Sequence, residues 1–387
     1  MKIVFVSNFF NHHQEFISNA FYEKTKGNYF FIANESVPEE RLKLGYEDAN
    51  KKYDYIIRTY ESEKENEKAR KLILEADVVI LEPTYTGMMA ERLKTGKITF
   101  MYSERIYKKT FQWWKLPKWL YEHGKRFRKH RCLHLLCASA FASNDYAKTF
   151  CFVDKAYKWG YFTEVKNYNI FQIIDDKKNN TILWTGRMID WKHPEEPIFA
   201  LKKLKEQGYK FQFNMIGTGE KEDEIKQLIK DCDMEECVSV LGSMSPQEVR
   251  KYMEESEIFL FTSDRQEGWG AVLNEAMNSG CAVIASHAIG AVPYLINDGV
   301  NGCVYKSGNI DQLAAQIKDL KDNEEKRKKI SVNAYETMIN EWNAENAVEK
   351  LISVTKAILK DEEDQIFFEN GVCSKAVRFS YKKGKRW

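Results

Sequence analysis

One stretch of the sequence identifies the fold class: residues 258–285 read IFLFTSDRQEGWGAVLNEAMNSGCAVIA. The apolar run 258–262 predicts a buried strand, the glycines Gly268 and Gly270 predict a loop, a helix follows from about Ala271, and 282–285 returns to a strand. A strand, a helix and a second strand in this order form the repeating unit of a parallel sheet. We therefore expect an α/β protein.

The same alternation extends in both directions along the chain. In the first half, strands are expected at 2–7, 29–33, 53–59, 77–81, 98–102 and 134–139, with a helix at 67–75. In the second half they are expected at 181–185, 211–216, 238–241, 258–262 and 282–285. Ser245, Pro246 and Glu248 predict a capped helix start. After Asp311 the pattern is helical, through Lys360.

A polar stretch at 173–180 predicts a boundary between two domains of similar size. We expect an N-terminal domain at 1–175, a second domain at 176–355 and a terminal helix with a basic tail at 356–387. Ligands of doubly wound sheets bind outside the carboxyl ends of the strands. The site is therefore expected in the cleft between the two domains.

Composition excludes several classes of protein. The chain has 387 residues, of which 43% are hydrophobic and 30% charged, with a net charge of +2, as in ordinary globular proteins. No apolar run is long enough for a membrane span, and the short apolar start at 2–6 resembles a buried strand rather than a signal peptide. We expect a cytoplasmic protein with no nucleic-acid partner.

The first half is the basic one, since residues 1–180 carry 31 Lys and Arg against 23 Asp and Glu. Its most unusual segment is 113–131, where tryptophans alternate with cations. Such a segment suits a membrane surface at the inner face, or the diphosphate of a lipid-linked acceptor. The alternative is a solvated surface helix whose tryptophans pack inward.

No metal site is expected. The eight cysteines follow no regular framework and read as reduced thiols. Cys132 and His134 would share a strand face that Cys137 does not. Asp231 and Asp233 flank a helix end rather than follow a buried strand, so they read as solvated.

The junction at 263–280 suits a phosphate, because main-chain N–H groups at a glycine-rich turn and a helix start attract anions. Glu267 and Glu275 cannot serve that anion, since like charges repel. They suit the hydroxyls of a sugar or a ribose. Two solvated glutamates remain the alternative.

A second group follows the strand at 181–185. Gly186 and Arg187 begin a loop that reaches Lys192 five residues later, and the two cations suit a diphosphate. Gly217 and Gly219 follow the next strand, but without a third glycine they are weak evidence for a dinucleotide and fit a tight turn.

Taken together, these motifs resemble those of retaining GT-B glycosyltransferases of family 4, whose hallmark is a Glu-x7-Glu pair. Here Glu267 and Glu275 have that spacing. The resemblance covers about 181–355 and includes Gly186-Arg187 with Lys192, 215–220, 240–246 and 298–302.

The resemblance implies two facing Rossmann-like domains with a central cleft, and a final helix that crosses back to the first domain. It implies that Arg187 and Lys192 hold the donor diphosphate, Glu267 the sugar hydroxyls and Glu275 the ribose. The family also implies that no catalytic metal or other cofactor is needed. Further donor contacts are implied for Gly186, Gly242, Ser243, Gly268, Trp269, Gly270, Ala271 and Val272.

The first half resembles the family only in outline. Many members carry a histidine after a strand of this domain, and the comparable stretch 101–105 has none. Glu104 is the candidate for a related role. Asn11, His12 and His13 form the other candidate, either orienting or deprotonating an acceptor hydroxyl or only supporting the start of a helix.

The sequence thus predicts an enzyme that transfers a sugar from a nucleotide diphosphate to a glycan, lipid-linked or other hydroxyl acceptor with retention, in bacterial cell-surface polysaccharide or glycoconjugate synthesis. A sugar-nucleotide epimerase of the same fold and a non-catalytic nucleotide-sugar-binding relative are the alternatives. A glycosidase is disfavoured, because it has no use for cations suited to a diphosphate.

Overall fold

The computed structural model describes residues 1–39, 48–84, 86–109, 111–362 and 368–376. The strands are β1 Ile3–Ser7, β2 Tyr29–Ala33, β3 Ile56–Arg58, β4 Val78–Leu81, β5 Thr99–Ser103, β6 Leu133–Cys137, β7 Ala156–Lys158, β8 Thr181–Thr185, β9 Gln212–Ile216, β10 Val238–Val240, β11 Ile258–Phe261, β12 Ala282–Ser286 and β13 Cys303–Tyr305. The helices are α1 His12–Lys24, α2 Glu63–Glu75, α3 Thr86–Lys94, α4 Leu116–His123, α5 Ala142–Ala147, α6 Ile170–Asp175, α7 Glu195–Glu206, α8 Glu222–Asp231, α9 Pro246–Glu255, α10 Val272–Asn278, α11 Val292–Leu295, α12 Ile310–Asp322, α13 Glu324–Asn340 and α14 Ala344–Leu359.

Within these residues the strands form two parallel sheets, in the orders β3-β2-β1-β4-β5-β6-β7 and β10-β9-β8-β11-β12-β13. The predicted α/β class is confirmed, and every predicted strand is present with slightly different ends. Two short strands, β7 and β13, were not predicted. The expected helix start is also confirmed, because Ser245 caps α9 and its hydroxyl and amide pair with Glu248.

The strand order of the second sheet reverses between β8 and β11, which are neighbours although they lie far apart in sequence. Loops that leave the carboxyl ends of two such strands run in opposite directions and open a crevice at that point. The loops after β8 and β11 carry Lys192 and Glu267. The topology of this sheet alone therefore brings the two motifs together.

The chain divides into two compact units at different positions from those predicted. The first unit contains Met1–Thr163 and the described residues from Asn343 onward, and the second contains Glu164–Trp342. Residues 164–175 join the second unit because α6 packs there, with Ile170 and Ile174 against Tyr335. The amide of Tyr168 also donates to the Tyr335 hydroxyl at 2.8 Å.

Residues from 343 join the first unit because α14 packs on α1. Ala347, Val348 and Leu351 of α14 are buried. Beyond α14, the Lys158 amide donates to the Ser374 carbonyl at 2.8 Å, so the chain end extends the edge of the first sheet at β7. Most of the predicted basic tail, 377–387, lies outside the described residues.

Among the helices of the described residues, none is both long and apolar enough to cross a bilayer.

Candidate active site

The centre of the candidate site is an ion pair between Lys192 and Glu267. Lys192 closes a 3₁₀ turn, Asp190–Lys192, after β8, and Glu267 lies in the loop after β11. The Lys192 ammonium contacts Glu267 Oε2, and the two side chains are only 14% and 11% exposed. The Ser263 hydroxyl donates to the same oxygen at 2.9 Å. Both charges are therefore held in fixed positions, largely away from water.

Main-chain contacts set the position of Lys192. The Thr262 hydroxyl, directly after β11, donates to the carbonyl oxygens of Lys192 and His193, at 2.7 and 3.0 Å. The buried indole of Trp184 donates to that hydroxyl at 3.0 Å. The end of β11 thereby ties down the loop after β8.

His193 continues this bracing with a left-handed backbone, φ 49°. Its Nδ1 lies 3.0 Å from Glu195, and its Nε2 lies 3.7 Å from Asp264. The hydrogen bond to Glu195 raises the pKa of His193 above its usual value. His193 thus lies between carboxylates of Glu195, which begins α7, and of Asp264, in the loop after β11.

The loops after β8 and β9 pack directly against each other through glycines. Gly217 has φ 132°, and a Cβ on it would lie 1.9 Å from the Gly186 carbonyl oxygen. Only glycine allows this approach. Gly186 in turn lies beside the Lys192 side chain. If Gly186 carried a Cβ, that atom would be 3.7 Å from Lys192 Cδ.

Arg187 lies beside this contact and is exposed. Its guanidinium forms no hydrogen bond or ion pair with any residue the structure describes. The position next to Gly186 leaves this charge available to an anion.

The turn at 268–271 directs its large side chain inward. Trp269 is fully buried, and its indole donates to Asn274 at 3.0 Å. Gly270 has φ 93°, and a Cβ there would lie 2.5 Å from the Phe261 ring. Ala271 caps α10, which starts at Val272. Gly268 and Gly270 are buried beside Trp269, and the Trp269 carbonyl accepts from the Ala291 amide at 3.2 Å.

Glu275 lies in α10 and is partly buried. Burial raises its pKa to about 7, and the nearby charge of Arg250 only partly offsets that rise. Its carboxylate accepts no hydrogen bond from the described residues. A ligand hydroxyl donating to this carboxylate would supply the missing stabilisation.

The segment at Gly242 and Ser243 follows β10. The Gly242 carbonyl accepts a 2.7 Å hydrogen bond from the Gly217 amide, and Ser243 is exposed. The structure thus brings Gly186, Lys192, Glu267 and Gly270 into contact and attaches Gly242 to the same framework. It shows no direct contact of Arg187, Ser243 or Glu275 with that group.

The candidate residues of the first unit lie in two places, at the start of α1 and in a polar cluster. The cluster contains His13, Glu82, Glu104 and Tyr161. Asn11 caps α1, where its side chain accepts from the His13 amide at 2.9 Å. His12 begins the helix. The His13 ring stacks on Tyr161, with centroids 5.3 Å apart. Asn11 is thus a helix cap, and the His13 ring lies against Tyr161 of the cluster.

Glu104 forms the other side of this cluster. It accepts from the Tyr161 hydroxyl at 2.6 Å and pairs with Lys108 at 2.6 Å. Burial raises the pKa of Tyr161 well above its usual value, so the phenol stays protonated and donates.

Sequence analysis missed Glu82 and Tyr161. Glu82 directly follows β4 and accepts from the Ser7 hydroxyl at 2.8 Å, and burial raises its pKa. β4 adjoins β1 where the strand order of the first sheet reverses. A polar residue at the end of that strand was a recognisable signal, whereas nothing near Tyr161 in the sequence marks its partner.

No group of three or more His, Cys, Asp or Glu side chains within the described ranges is arranged as metal ligands would be. Asp231 is the last residue of α8 and accepts from Gln227 at 2.8 Å. It therefore lies at a helix end, where the sequence placed it.

Comparisons with known proteins centre on the second unit. Residues 166–337 match the family model described as glycosyl transferases group 1. The amylovoran biosynthesis glycosyltransferase AmsK of Erwinia amylovora is 31% identical over 182 residues, which are 46% of this chain and 44% of that protein. The chain therefore spans less than half the length of this curated relative.

Solved structures are similar over nearly the whole chain. A glycosyltransferase from Rickettsia africae has a TM-score of 0.67 at 19% identity, covering 93% of this chain and 99% of its own. Anabaena Alr3699/HepE, solved with UDP, has a TM-score of 0.66 at 15% identity, covering 94% and 100%. With the two parallel sheets, these similarities establish the GT-B fold.

Proposed function

We propose that this protein is a glycosyltransferase that moves a sugar from a nucleotide diphosphate to an acceptor hydroxyl with retention of configuration. The observation that carries the proposal is the nearly buried Lys192–Glu267 pair, located where the strand order of the second sheet reverses. It lies within the region that matches the group 1 glycosyl transferases.

Lys192 and Arg187 are assigned to the diphosphate. Arg187 is exposed and forms no ion pair with any described residue. Gly186 begins the same loop, and the Lys192 side chain lies beside it. When the donor binds, the Lys192 ammonium is shared between Glu267 and a phosphate oxygen. Both cations then stabilise the charge that grows on the departing diphosphate.

Glu267 and Glu275 are assigned to hydroxyls on either side of that diphosphate. Glu267 has a second oxygen to offer the donor sugar, since Lys192 and Ser263 share Oε2. Glu275 accepts from the ribose, which relieves the cost of its burial. The main chain of 268–272 lines the sugar and phosphate, and Gly242 and Ser243 lie toward the base.

In the reaction, the bond between the anomeric carbon and the diphosphate oxygen breaks, and the acceptor oxygen bonds to the same face of that carbon. The acceptor proton passes to the departing diphosphate. Positive charge builds on the sugar in the transition state, so fixed charges around it lower the barrier. Retention rests on the resemblance of Glu267 and Glu275 to the Glu-x7-Glu pair.

The acceptor hydroxyl is assigned to the polar cluster of the first unit. Glu82 and Glu104 carry carboxylates that accept hydrogen bonds, and the stacked rings of His13 and Tyr161 complete the cluster. The role considered for Glu104 is thereby extended to Glu82. No metal or organic cofactor takes part in this scheme.

The process is proposed to be the synthesis of a surface polysaccharide or glycoconjugate. AmsK is named for amylovoran biosynthesis, and the HepE crystals contain UDP or UDP-glucose. We therefore take uridine diphosphate sugars as the first donors to test.

The test incubates the full chain with UDP, GDP, ADP and dTDP sugars, with and without glycan and polyprenyl-diphosphate acceptors. Release of nucleoside diphosphate that depends on the acceptor supports transfer. An altered donor sugar formed without an acceptor indicates an epimerase, and binding without turnover indicates a non-catalytic relative. Either result contradicts the proposal.

A further inference from the structure

The segment 113–131 of the first unit, here called the Trp–Lys surface, leaves large aromatic side chains in water. Trp113, Trp114 and Tyr121 are 72%, 60% and 72% exposed. Two adjacent tryptophans with most of their area exposed are uncommon on a soluble surface and indicate a binding face.

The helical geometry of this surface separates an inner face from an outer one. Trp119 packs inward on Tyr107, with centroids 4.8 Å apart, and Phe127 is buried against Tyr146. Of the outer residues, Lys118 and Tyr121 lie on α4, Trp114 belongs to the 3₁₀ turn before it and Lys125 to the π-helical turn after it. All four are exposed. Of the two roles considered for the tryptophans, Trp119 has the structural one and Trp113 and Trp114 do not.

The surface is strongly basic. Its only carboxylate is Glu122, which pairs with Lys118 at 3.8 Å. The other cations form no ion pair with any described residue. Seven basic residues, all exposed, belong to it: Lys115, Lys118, Lys125, Arg126, Arg128, Lys129 and Arg131.

A neighbouring loop adds apolar area. Phe152 packs on Phe127, with centroids 5.8 Å apart. On either side of it in sequence, Phe150 and Val153 are 64% and 43% exposed. Aliphatic and aromatic groups beside unpaired cations suit a partner that offers both hydrocarbon and negative charge, whereas an acidic polymer offers the charge alone.

We propose that the Trp–Lys surface binds an anionic lipid bilayer, with Trp113, Trp114 and Tyr121 at the level of the headgroups and the cations facing lipid phosphates. Indole and phenol rings favour this interfacial depth. Lysine and arginine beside them attract anionic lipid. The proposal goes beyond sugar transfer and does not depend on it, since none of these residues is assigned to donor or acceptor.

The experiment is flotation of the full chain with vesicles of phosphatidylcholine alone or with roughly a quarter phosphatidylglycerol. We expect binding only to the anionic vesicles, weakened by salt. The aromatic variant W113A/W114A should bind about tenfold more weakly. The charge variant K125Q/R126Q/K129Q should bind about a hundredfold more weakly, because each basic residue contributes about fivefold near such a surface.

Matched controls are F171A, an exposed aromatic of the second unit, and K64Q/K251Q/K329Q, three exposed lysines elsewhere. Both should bind like the wild type, and circular dichroism checks folding throughout. Bromine-labelled lipids should quench wild-type tryptophan fluorescence more than that of W113A/W114A. Equal binding of all variants, equal binding to neutral vesicles, or binding to heparin or RNA but not to vesicles would each overturn the proposal.

Calorimetry with UDP on the same preparations separates the two proposals. Vesicle binding without UDP binding leaves the membrane proposal intact and weakens the proposed donor. UDP binding without vesicle binding overturns the membrane proposal and leaves the proposed donor intact.

Discussion

The Thr262 hydroxyl holds the main chain of Lys192 at 2.7 Å, although the two residues are 70 positions apart. This bond joins the loop after β8 to the end of β11, its neighbour in the sheet, and fixes the backbone from which Lys192 reaches Glu267. The candidate site is thus formed by two loops that are tied together where these strands end.

Replacing Lys192 by alanine should lower kcat/KM for donor about 10²- to 10³-fold, because the departing diphosphate loses a fixed cation. The measurement is initial-rate kinetics of nucleoside diphosphate release. K178A is the matched control, since Lys178 pairs with Glu255 at an exposed position. Wild-type rates in folded K192A would contradict the assignment.

Nucleotide affinity should rise between pH 6 and pH 8, since the pKa of Glu275 is about 7. The ionised carboxylate can accept hydrogen bonds from both ribose hydroxyls, whereas the protonated carboxyl group cannot. Calorimetric titration with UDP across that window measures the effect. E275Q should bind more weakly at pH 8 and lose the pH dependence of affinity. A wild-type slope retained in E275Q would show that another group titrates.

Ionisation of the Glu275 carboxyl group should also destabilise the folded protein at alkaline pH. The folded pKa of this group lies above the usual value of a glutamate, so the folded state holds a proton that the unfolded chain has released. The contribution of Glu275 is therefore most favourable at acidic pH and declines as the pH rises through about 7. E275Q should gain about 1–3 kcal/mol relative to wild type at pH 8 and little at pH 5, as judged by thermal unfolding.

Gly217→Ala should unfold the second unit or shift the loops after β8 and β9, because the added Cβ would lie 1.9 Å from the Gly186 carbonyl oxygen. We expect a loss of at least about 3 kcal/mol in unfolding free energy, or loss of UDP binding. Gly208→Ala is the control. Gly208 also has positive φ, 86°, but nothing lies within 4 Å of its added Cβ, so it should cost about 1 kcal/mol.

Tyr161→Phe should raise KM for the acceptor and leave UDP affinity unchanged, since it removes the 2.6 Å hydrogen bond that orients Glu104. Kinetics at saturating donor, with acceptor varied, measure the change. Y60F serves as a control on an exposed tyrosine of the same unit. An unaltered acceptor KM in Y161F would remove the cluster from the acceptor site.

Periodicity located the strands well, because parallel strands buried on both faces, such as 3–7 and 282–286, appear as continuous apolar runs. The strands β7 and β13 were not predicted, although β3 and β10, which are equally short, were. The unit boundary was misplaced because Ile170 and Ile174 bury themselves against Tyr335, a partner far away in sequence.

Only part of the candidate site could be predicted from the sequence. Spacing and glycines identified the loops at 186–192 and 267–270, but nothing local indicates that Lys192 contacts Glu267 or that Trp269 faces inward. Those facts depend on strand order. The Glu104–Tyr161 bond joins side chains 57 positions apart and was equally hidden.

The first unit is completed only by residues that follow the second unit in sequence, because α14 covers α1 and residues 373–374 pair with Lys158 at the edge of β7. During synthesis, therefore, the whole second unit leaves the ribosome before the first can finish folding. Until then the incomplete sheet keeps an open edge and the apolar side of α1 is uncovered, a state prone to aggregation. A fragment ending at residue 342 should accordingly need chaperones, whereas the nascent middle of the protein can already fold.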